Sequence, residues 1–327
     1  MRGLIFLLVF IVSISGCGLF DASEEKPKPE YEWEELGQFR DRWNTAVEIT
    51  PDDILFIAQD EKLFRSTNHG EDFQRLSTPD SADIVRIRTL NNKLYIIGDV
   101  YRPDGGDWGR DVSWIYVSED NGQSWEVVTG GYIMQDITYL NNRLHIGRKH
   151  GVTTLDLETG ESFRNSFIHS KLSDHIEEIE VTSDGRIFLA SHDGLHASFD
   201  NGETWTKVST NIHKNYDFFR SLEIDENDNL YLSEYERIYK VMGQELYWEH
   251  YKIKNGNDQI KLLPDNKLLL LASDDLKISD RDELSFMEIQ PKSTQEYGPY
   301  FDFIDTFSNG NIILAGHSHV FLGRKME

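Results

Sequence analysis

One apolar pattern recurs along almost the whole chain. Ile54-Leu-Phe-Ile-Ala58, Lys93-Leu-Tyr-Ile-Ile97, Arg143-Leu-His-Ile146, Arg186-Ile-Phe-Leu-Ala190, Asn229-Leu-Tyr-Leu232, Lys267-Leu-Leu-Leu-Leu271 and Asn311-Ile-Ile-Leu-Ala315 are dense apolar runs, each preceded by a polar turn and an alternating strand. The matched apolar positions fall at 55, 94, 144, 187, 230, 268 and 312, so the spacings are 39, 50, 43, 43, 38 and 44 residues. A period near 40–45 residues built of short strands is that of a four-stranded propeller blade, a unit that buries its faces only against its neighbours. The expected fold is therefore all-β, a single seven-bladed β-propeller over residues 31–327. The last repeat has room for three strands, Phe301 to Phe307, Asn311 to Gly316 and His319 to Arg324. Tyr31-Glu-Trp33-Glu-Glu-Leu36, ahead of the first repeat, has the pattern of an outer strand and is expected to complete the seventh blade, so that no sheet edge is left at the join.

Within the repeats, Ser66-Thr-Asn68-His-Gly70-Glu-Asp-Phe73, Ser118-Glu-Asp120-Asn-Gly122-Gln-Ser-Trp125 and Ser198-Phe-Asp200-Asn-Gly202-Glu-Thr-Trp205 share the pattern Ser-x-Asp/Asn-x-Gly-x-x-Trp/Phe. Asn121-Gly122 and Asn201-Gly202 are signals for a two-residue hairpin, because tight turns need positive φ. The Ser hydroxyl and the Asp or Asn side chain can bond nearby N–H groups, and the aromatic ring can bury beside the turn. Weaker echoes lie at Asp156–Phe163 and Ser279–Phe286. The pattern resembles the Asp-box, or BNR, repeat of sialidase-like, sortilin-like and photosystem-assembly propellers. What the resemblance implies is structural: Ser66, Asn68, Gly70, Phe73, Ser118, Asp120, Gly122, Trp125, Ser198, Asp200, Gly202 and Trp205 staple turns and are not catalytic.

The chain starts Met1-Arg2-Gly3, continues with an apolar run from Leu4 to Ile14, and reaches its single cysteine through Ser15-Gly16-Cys17. A basic head, a short apolar stretch and small residues are the parts of a secretion signal, and the stretch is too short to span a bilayer. The arrangement resembles the lipobox of bacterial lipoproteins. It implies that residues 1–16 are a signal peptide, that Cys17 is acylated (palmitate included), and that the site is the cell envelope. Gly18 in place of Asp points to the outer membrane in a two-membrane organism. Residues 17–30, charged and carrying Pro27 and Pro29, read as a stalk. With Cys17 lipidated, no thiol remains for a disulfide, a metal or a nucleophile. The net charge of −24 argues against nucleic acid, which needs a basic surface.

In a four-stranded blade the strand 2–3 turns share one rim with the blade-to-blade connections, and the stapled strand 3–4 turns lie on the other. The binding face is expected on the rim without the staples. Candidates there are Tyr101, Arg102, Trp108 and Arg110 in the long insertion Val100–Asp111, His192 in a strand 2–3 turn, Tyr216 and Tyr297 in blade connections, and His317 near the end. Rings and guanidinium groups of this kind stack on sugars or anchor protein partners. His150, His192-Asp193, Asp274-Asp275 and His317-Ser318-His319 gather in turns without a fixed metal-ligand spacing, so no metal and no cofactor is expected. A sialidase would need three arginines, a Tyr–Glu pair and an acid; only Phe39-Arg40 survives of its Arg-Ile-Pro signature, and the inner strands offer Arg86 and Arg88 beside Glu48, Glu180 and Glu223. The reading is an envelope lipoprotein acting as a non-enzymatic binding or assembly scaffold for a protein or glycan, with the membrane met through the lipid. The alternative is a glycoside hydrolase with a different carboxylate pair.

Overall fold

The structure, a computed structural model, describes residues 30–79, 83–100, 112–167, 175–208, 218–243, 245–253, 259–272, 275–289, 291, 301–316 and 318–326. They form seven four-stranded antiparallel sheets. The inner strands are Asn44–Ile49, Asp83–Leu90, Met134–Leu140, Ile176–Val181, Ser221–Ile224, Gln259–Leu263 and Phe303–Thr306, in blades 1 to 7. Each contacts the next, and the last returns to the first, so the ring is closed. The first strand, Tyr31–Glu35, pairs with Val320–Lys325 as the outer strand of blade 7, with Tyr31 opposite Lys325 and Glu35 opposite Phe321. Trp33 anchors it to blade 6 by donating from Nε1 to the Ile289 carbonyl at 2.7 Å.

The second strand of each blade is dense in apolar residues because both its faces are covered. Leu55, Leu144, Ile187, Leu230, Leu268 and Ile312 are fully buried and Leu94 nearly so. The core is consequently divided into clusters between adjacent blades: Phe56, Ala58 and Leu63 of blade 1 pack with Ile84, Ile87 and Ile96 of blade 2. Outer strands have one covered face and alternate, as in Tyr31–Glu35.

The Ser-x-Asp/Asn-x-Gly segments occupy the strand 3–4 turns, but not as two-residue hairpins. In blade 2 the ladder stops at Val117 opposite Glu126, so the turn spans the whole motif. The reason is that side chains, rather than strand pairing, organise it. Ser118 Oγ donates to Asp120 Oδ1 at 2.8 Å and accepts from Gly122 N at 2.8 Å, while Asp120 Oδ1 accepts from Ser124 N at 2.8 Å. Ser66–Asn68–Gly70 and Ser198–Asp200–Gly202 repeat the contacts. Gly122 and Gly202 sit at φ near +83° and +82°, and a Cβ there would lie 2.6 Å from Leu76 Cδ1 and from His145, respectively. Both neighbours belong to the preceding blade. These turns therefore seat on the blade before their own, and glycine is needed for both conformation and approach.

Inner strands of blades 1 to 4 share a bulge near their start, at Asn44/Ala46, Ile84/Arg86, Met134/Asp136 and Ile176/Glu178. Bulges of this kind re-aim side chains next to sites.

Candidate functional site

The inner strands line a channel with an unusual density of charge. Arg88 grips Asp136 with two nitrogens, Nε to Oδ1 at 2.8 Å and Nη2 to Oδ2 at 2.5 Å, and its Nη1 lies 3.2 Å from Glu180 Oε1. Asp136 is fully buried and also accepts from Ile179 N at 3.1 Å. Arg86 donates to the Glu177 carbonyl at 2.9 Å and stands 3.5 Å from Asp136. Further round, Glu178 Oε2 accepts from Leu222 N at 2.5 Å and from Ser221 Oγ at 3.1 Å. Lys261 bridges Glu223 at 3.1 Å and Asp305 at 3.3 Å. Asp305 Oδ2 accepts from Ile49 N at 2.6 Å, and Glu48 Oε1 from Thr89 N at 2.7 Å. Each of these contacts joins one blade to another. The carboxylates act as cross-blade acceptors for inner-strand N–H groups, which would otherwise be left unpaired in the wall.

Burial dominates the titration of this ring. It pushes the Glu48 carboxyl up to about 7, with Asp305 adding repulsion, and the Glu178 carboxyl to about 7 despite Arg88. Glu180 is raised to about 8 by burial, against the pull of Arg88. Burial would raise Asp136 as well, but Arg88 and Arg86 overcome it and hold the carboxyl below its ordinary range. Protonated and ionised carboxyls thus coexist around the channel at neutral pH.

On the connection rim the channel opens into a cavity of about 380 Å³ lined by Glu177, His192, Phe218, Arg220, Gln259, Phe301 and Asp302. Glu177 is the bulge residue of blade 4, and its Oε1 meets His192 Nε2 at 2.5 Å. Gln135, the bulge residue of blade 3, meets His175 Nδ1 at 2.8 Å on the same rim. His192 lies flat against Phe218, over which the Arg220 guanidinium sits at 5.4 Å. Burial lowers the His192 imidazole despite its glutamate partner. The neighbouring Phe219 points the other way, into the blade 4–5 core with Tyr239 and Trp248. On the opposite rim, two open depressions of about 470 and 410 Å³ are lined largely by turn residues such as Asp225, Asp228, Asp53 and Ser308, which already bond one another or their own turns.

Of the residues singled out from sequence for binding, the structure places His192 at this cavity. Tyr101, Arg102, Trp108, Arg110, Tyr216, Tyr297 and His317 lie outside the described residues, as does Cys17. The serines, acids, glycines and aromatics of the stapled turns are all on the other rim. Among the described turn histidines, His319 and His192 do not converge: His319 is buried against Glu35 at 2.8 Å in blade 7, while His192 is held by Glu177. Among the described residues no His/Asp/Glu group is arranged to hold a metal ion. Arg86 and Arg88 face Asp136 and Glu180 rather than a Tyr–Glu pair, and no tyrosine lines the described cavities. Sequence reasoning missed Glu177, Gln259, Phe301 and Asp302, and the bulge that aims Glu177 leaves no mark in residue type.

The sequence matches no family model and no curated protein. Solved structures share the fold. The extracellular domain of BT4673 from B. thetaiotaomicron superposes with a TM-score of 0.71 at 15% identity, over 91% of this chain. The chain spans only 40% of that domain's length. Streptogramin B lyase superposes at 0.69 with 12% identity, covering 90% of this chain and 98% of the lyase. YCF48 from Cyanidioschyzon merolae gives 0.64 at 10% identity, covering 90% and 98%. These are seven-bladed β-propellers, and so is this protein. At such identities the likeness carries the fold alone. Among the described residues, no helix is long and apolar enough to cross a membrane.

Proposed function

We propose that the protein is an exported lipoprotein, anchored through an acylated Cys17, that works as a non-enzymatic binding scaffold through its connection rim. The observation that carries the reading is the engagement of the channel charges. Arg88, Asp136, Glu178, Lys261 and Asp305 are each tied to another blade, which makes them parts of the wall rather than a poised acid–base pair. The cavity beside them combines the rings of Phe218 and Phe301 with polar groups of His192, Arg220 and Gln259, the mixture that binding pockets use. The stapled turns support assignment to the Asp-box type of propeller. YCF48, of the same architecture, has a structure bound to D1 peptide, and a protein or peptide is the partner class we assign here, with a glycan as the other candidate.

One observation favours a hydrolase instead. Glu178 and Glu180, at about 7 and 8, have the protonated state a general acid needs. A panel of aryl glycosides incubated with the protein separates the readings. The scaffold reading predicts no turnover, together with binding on peptide or glycan arrays that is lost in Phe218→Ala and His192→Ala. Turnover abolished by Glu178→Gln or Glu180→Gln would overturn it.

A further inference from the structure

The two rims differ in charge and in which of them receives the N-terminal segment. On the turn rim, Glu71, Asp120, Glu158, Glu203, Asp228 and Glu283 come from six separate turns. The arginines there are neutralised locally, Arg186 by Asp184 at 2.9 Å and Arg281 by Glu226 at 2.8 Å. The connection rim is mixed: Arg40, Arg42, Lys149 and Arg220 accompany Asp41, Asp60, Glu61, Asp193, Glu234 and Glu236, with Arg40 paired to Glu35 and Arg42 to Asp60. It also displays Trp43, Tyr132 and Tyr235 with 53–63% of their surface exposed.

The chain joins the disc on the acidic side. Strand Tyr31–Glu35 runs antiparallel to Val320–Lys325, so its first residue lies beside the last residues of that strand. Met326 N donates to the Glu30 carbonyl at 3.0 Å, and Lys267 Nζ to Glu30 Oε1 at 2.6 Å. Lys325 N donates to Asn311 Oδ1 at 3.0 Å. Lys267 and Asn311 flank the strand 1–2 turns of blades 6 and 7, which places Glu30 on the turn rim between those blades. Whatever precedes it departs from that rim.

We infer that the propeller stands with its acidic turn rim toward an anionic bilayer and presents its connection rim, with the aromatic cavity, to a partner approaching from beyond the membrane. The inference rests on the anchorage proposed above. Residues 18–29 span at most about 40 Å when extended, from a rise of about 3.3–3.6 Å per residue. The six-residue strands of the blades make the disc about 20 Å deep. Laying the connection rim on the bilayer would spend about half of that reach in running along the side of blades 6 and 7. Laying the turn rim flat would bring its carboxylates within a Debye length, about 8 Å at physiological salt, of a surface of like charge. With Glu30 held on the turn rim, facing that rim to the membrane across a gap is the arrangement that needs the least of the stalk's reach while keeping the carboxylates beyond a Debye length.

The chain has one cysteine, taken up by the lipid, so an introduced one is a unique label site. Glu245→Cys and Glu236→Cys lie at opposite ends of strand Arg237–Met242, on the turn and connection rims of blade 5. Each is labelled with a donor fluorophore in the full lipidated chain, on phosphatidylglycerol-containing vesicles bearing an acceptor lipid. A Cys17→Ser chain held on nickel-chelating lipid by an N-terminal hexahistidine repeats the measurement without the natural anchor. In both carriers the donor at position 245 transfers energy several-fold faster than the donor at 236. Equal transfer, or faster transfer from 236, overturns the orientation. Failure of the untagged chain to float with vesicles, or flotation unchanged in Cys17→Ser, would instead overturn the lipid anchor, with the orientation still read in the tagged carrier.

Discussion

Asp136→Asn tests whether the channel charges hold the ring together. Asp136 is fully buried, accepts two hydrogen bonds from Arg88 and one from Ile179 N, and thereby joins blades 2, 3 and 4. Asparagine keeps the shape and, with its oxygen at the Oδ2 position, still accepts from Ile179 N and Arg88 Nη2, but its amide nitrogen then faces Arg88 Nε donor to donor, so the substitution removes the charge opposite Arg88 and one hydrogen bond to it. Breaking a buried ion pair from one side costs about 3–5 kcal/mol. Glu180, 3.2 Å from the same guanidinium, is held protonated in part by the Asp136 charge; removing that charge favours its ionised form, which then pairs with Arg88 and places the expected loss at the lower end, about 3 kcal/mol. At roughly 2.1 cal/mol/K of unfolding entropy per residue over ~300 residues, this lowers Tm by about 5 °C. Urea unfolding followed by tryptophan fluorescence measures the loss, and a cycle with Arg88→Met and Asp136→Leu assigns it. The apolar double variant is expected to be more stable than the sum of the single losses implies, because the two directly paired charges leave together and only the weaker contacts of Arg86 and Glu180 are lost. A loss under about 1 kcal/mol for Asp136→Asn, the size of an ordinary substitution, or strict additivity in the cycle, would refute the reasoning.

Gly122→Ala and Gly202→Ala meet both a left-handed backbone and a 2.6 Å contact with the preceding blade; each is expected to cost about 2–3 kcal/mol, read as a lower urea midpoint at unchanged m. Deleting residues 31–36 bares the edge of Val320–Lys325, and size-exclusion chromatography should show association or aggregation, whereas a monodisperse monomer would refute the closure argument. Glu180 is raised to about 8 by burial, so its stabilising contribution is complete below the unfolded value near 4.5 and is lost as pH rises through about 8; Glu180→Gln should flatten the fall in stability over that window. His145 is lowered to about 4 by burial, so it has the opposite sign: its contribution is complete above about 6.5 and is lost as pH falls toward 4, and His145→Gln should remove that part of the acid limb.

The number of blades and the closure of the ring were legible because both depend on burial. A second strand covered on both faces must be apolar throughout, and Leu55, Leu94, Leu144, Ile187, Leu230, Leu268 and Ile312 mark it at blade-sized intervals whatever the turns do. The turn motif was legible as a staple, but its length was not. Asn121-Gly122 suggested a two-residue hairpin, whereas Ser118 and Asp120 hold a longer turn whose conformation depends on contact with blade 1. The cavity was the least legible part. Its lining comes from blades 4, 5, 6 and 7, and Glu177 reaches it through a bulge that is a property of strand pairing, not of residue type. The inner-strand charges Glu48, Arg86, Arg88, Glu180 and Glu223 were visible in the sequence, but their partners were not, because each partner lies in another blade, about forty residues away or more.

The acidity of the chain follows from the same division of labour. Asp53 and Asp228 take left-handed φ near +58° and +60° and accept from Ser308 and Ser183 of the preceding blade, so they are acidic for reasons of turn geometry. Asp120 and Asp200 are acidic because a carboxylate can accept several N–H and O–H groups at once. Repeating such turns around one rim accumulates negative charge there without any ligand to select it. On the other rim, blade connections and strand 2–3 turns have no shared hydrogen-bonding template, so aromatic, basic and acidic side chains are free to vary. The net charge of −24 is therefore weak grounds for a cation site. It does give the disc a direction: the repeated turns make one face the more negative, while the other carries a more mixed set of side chains.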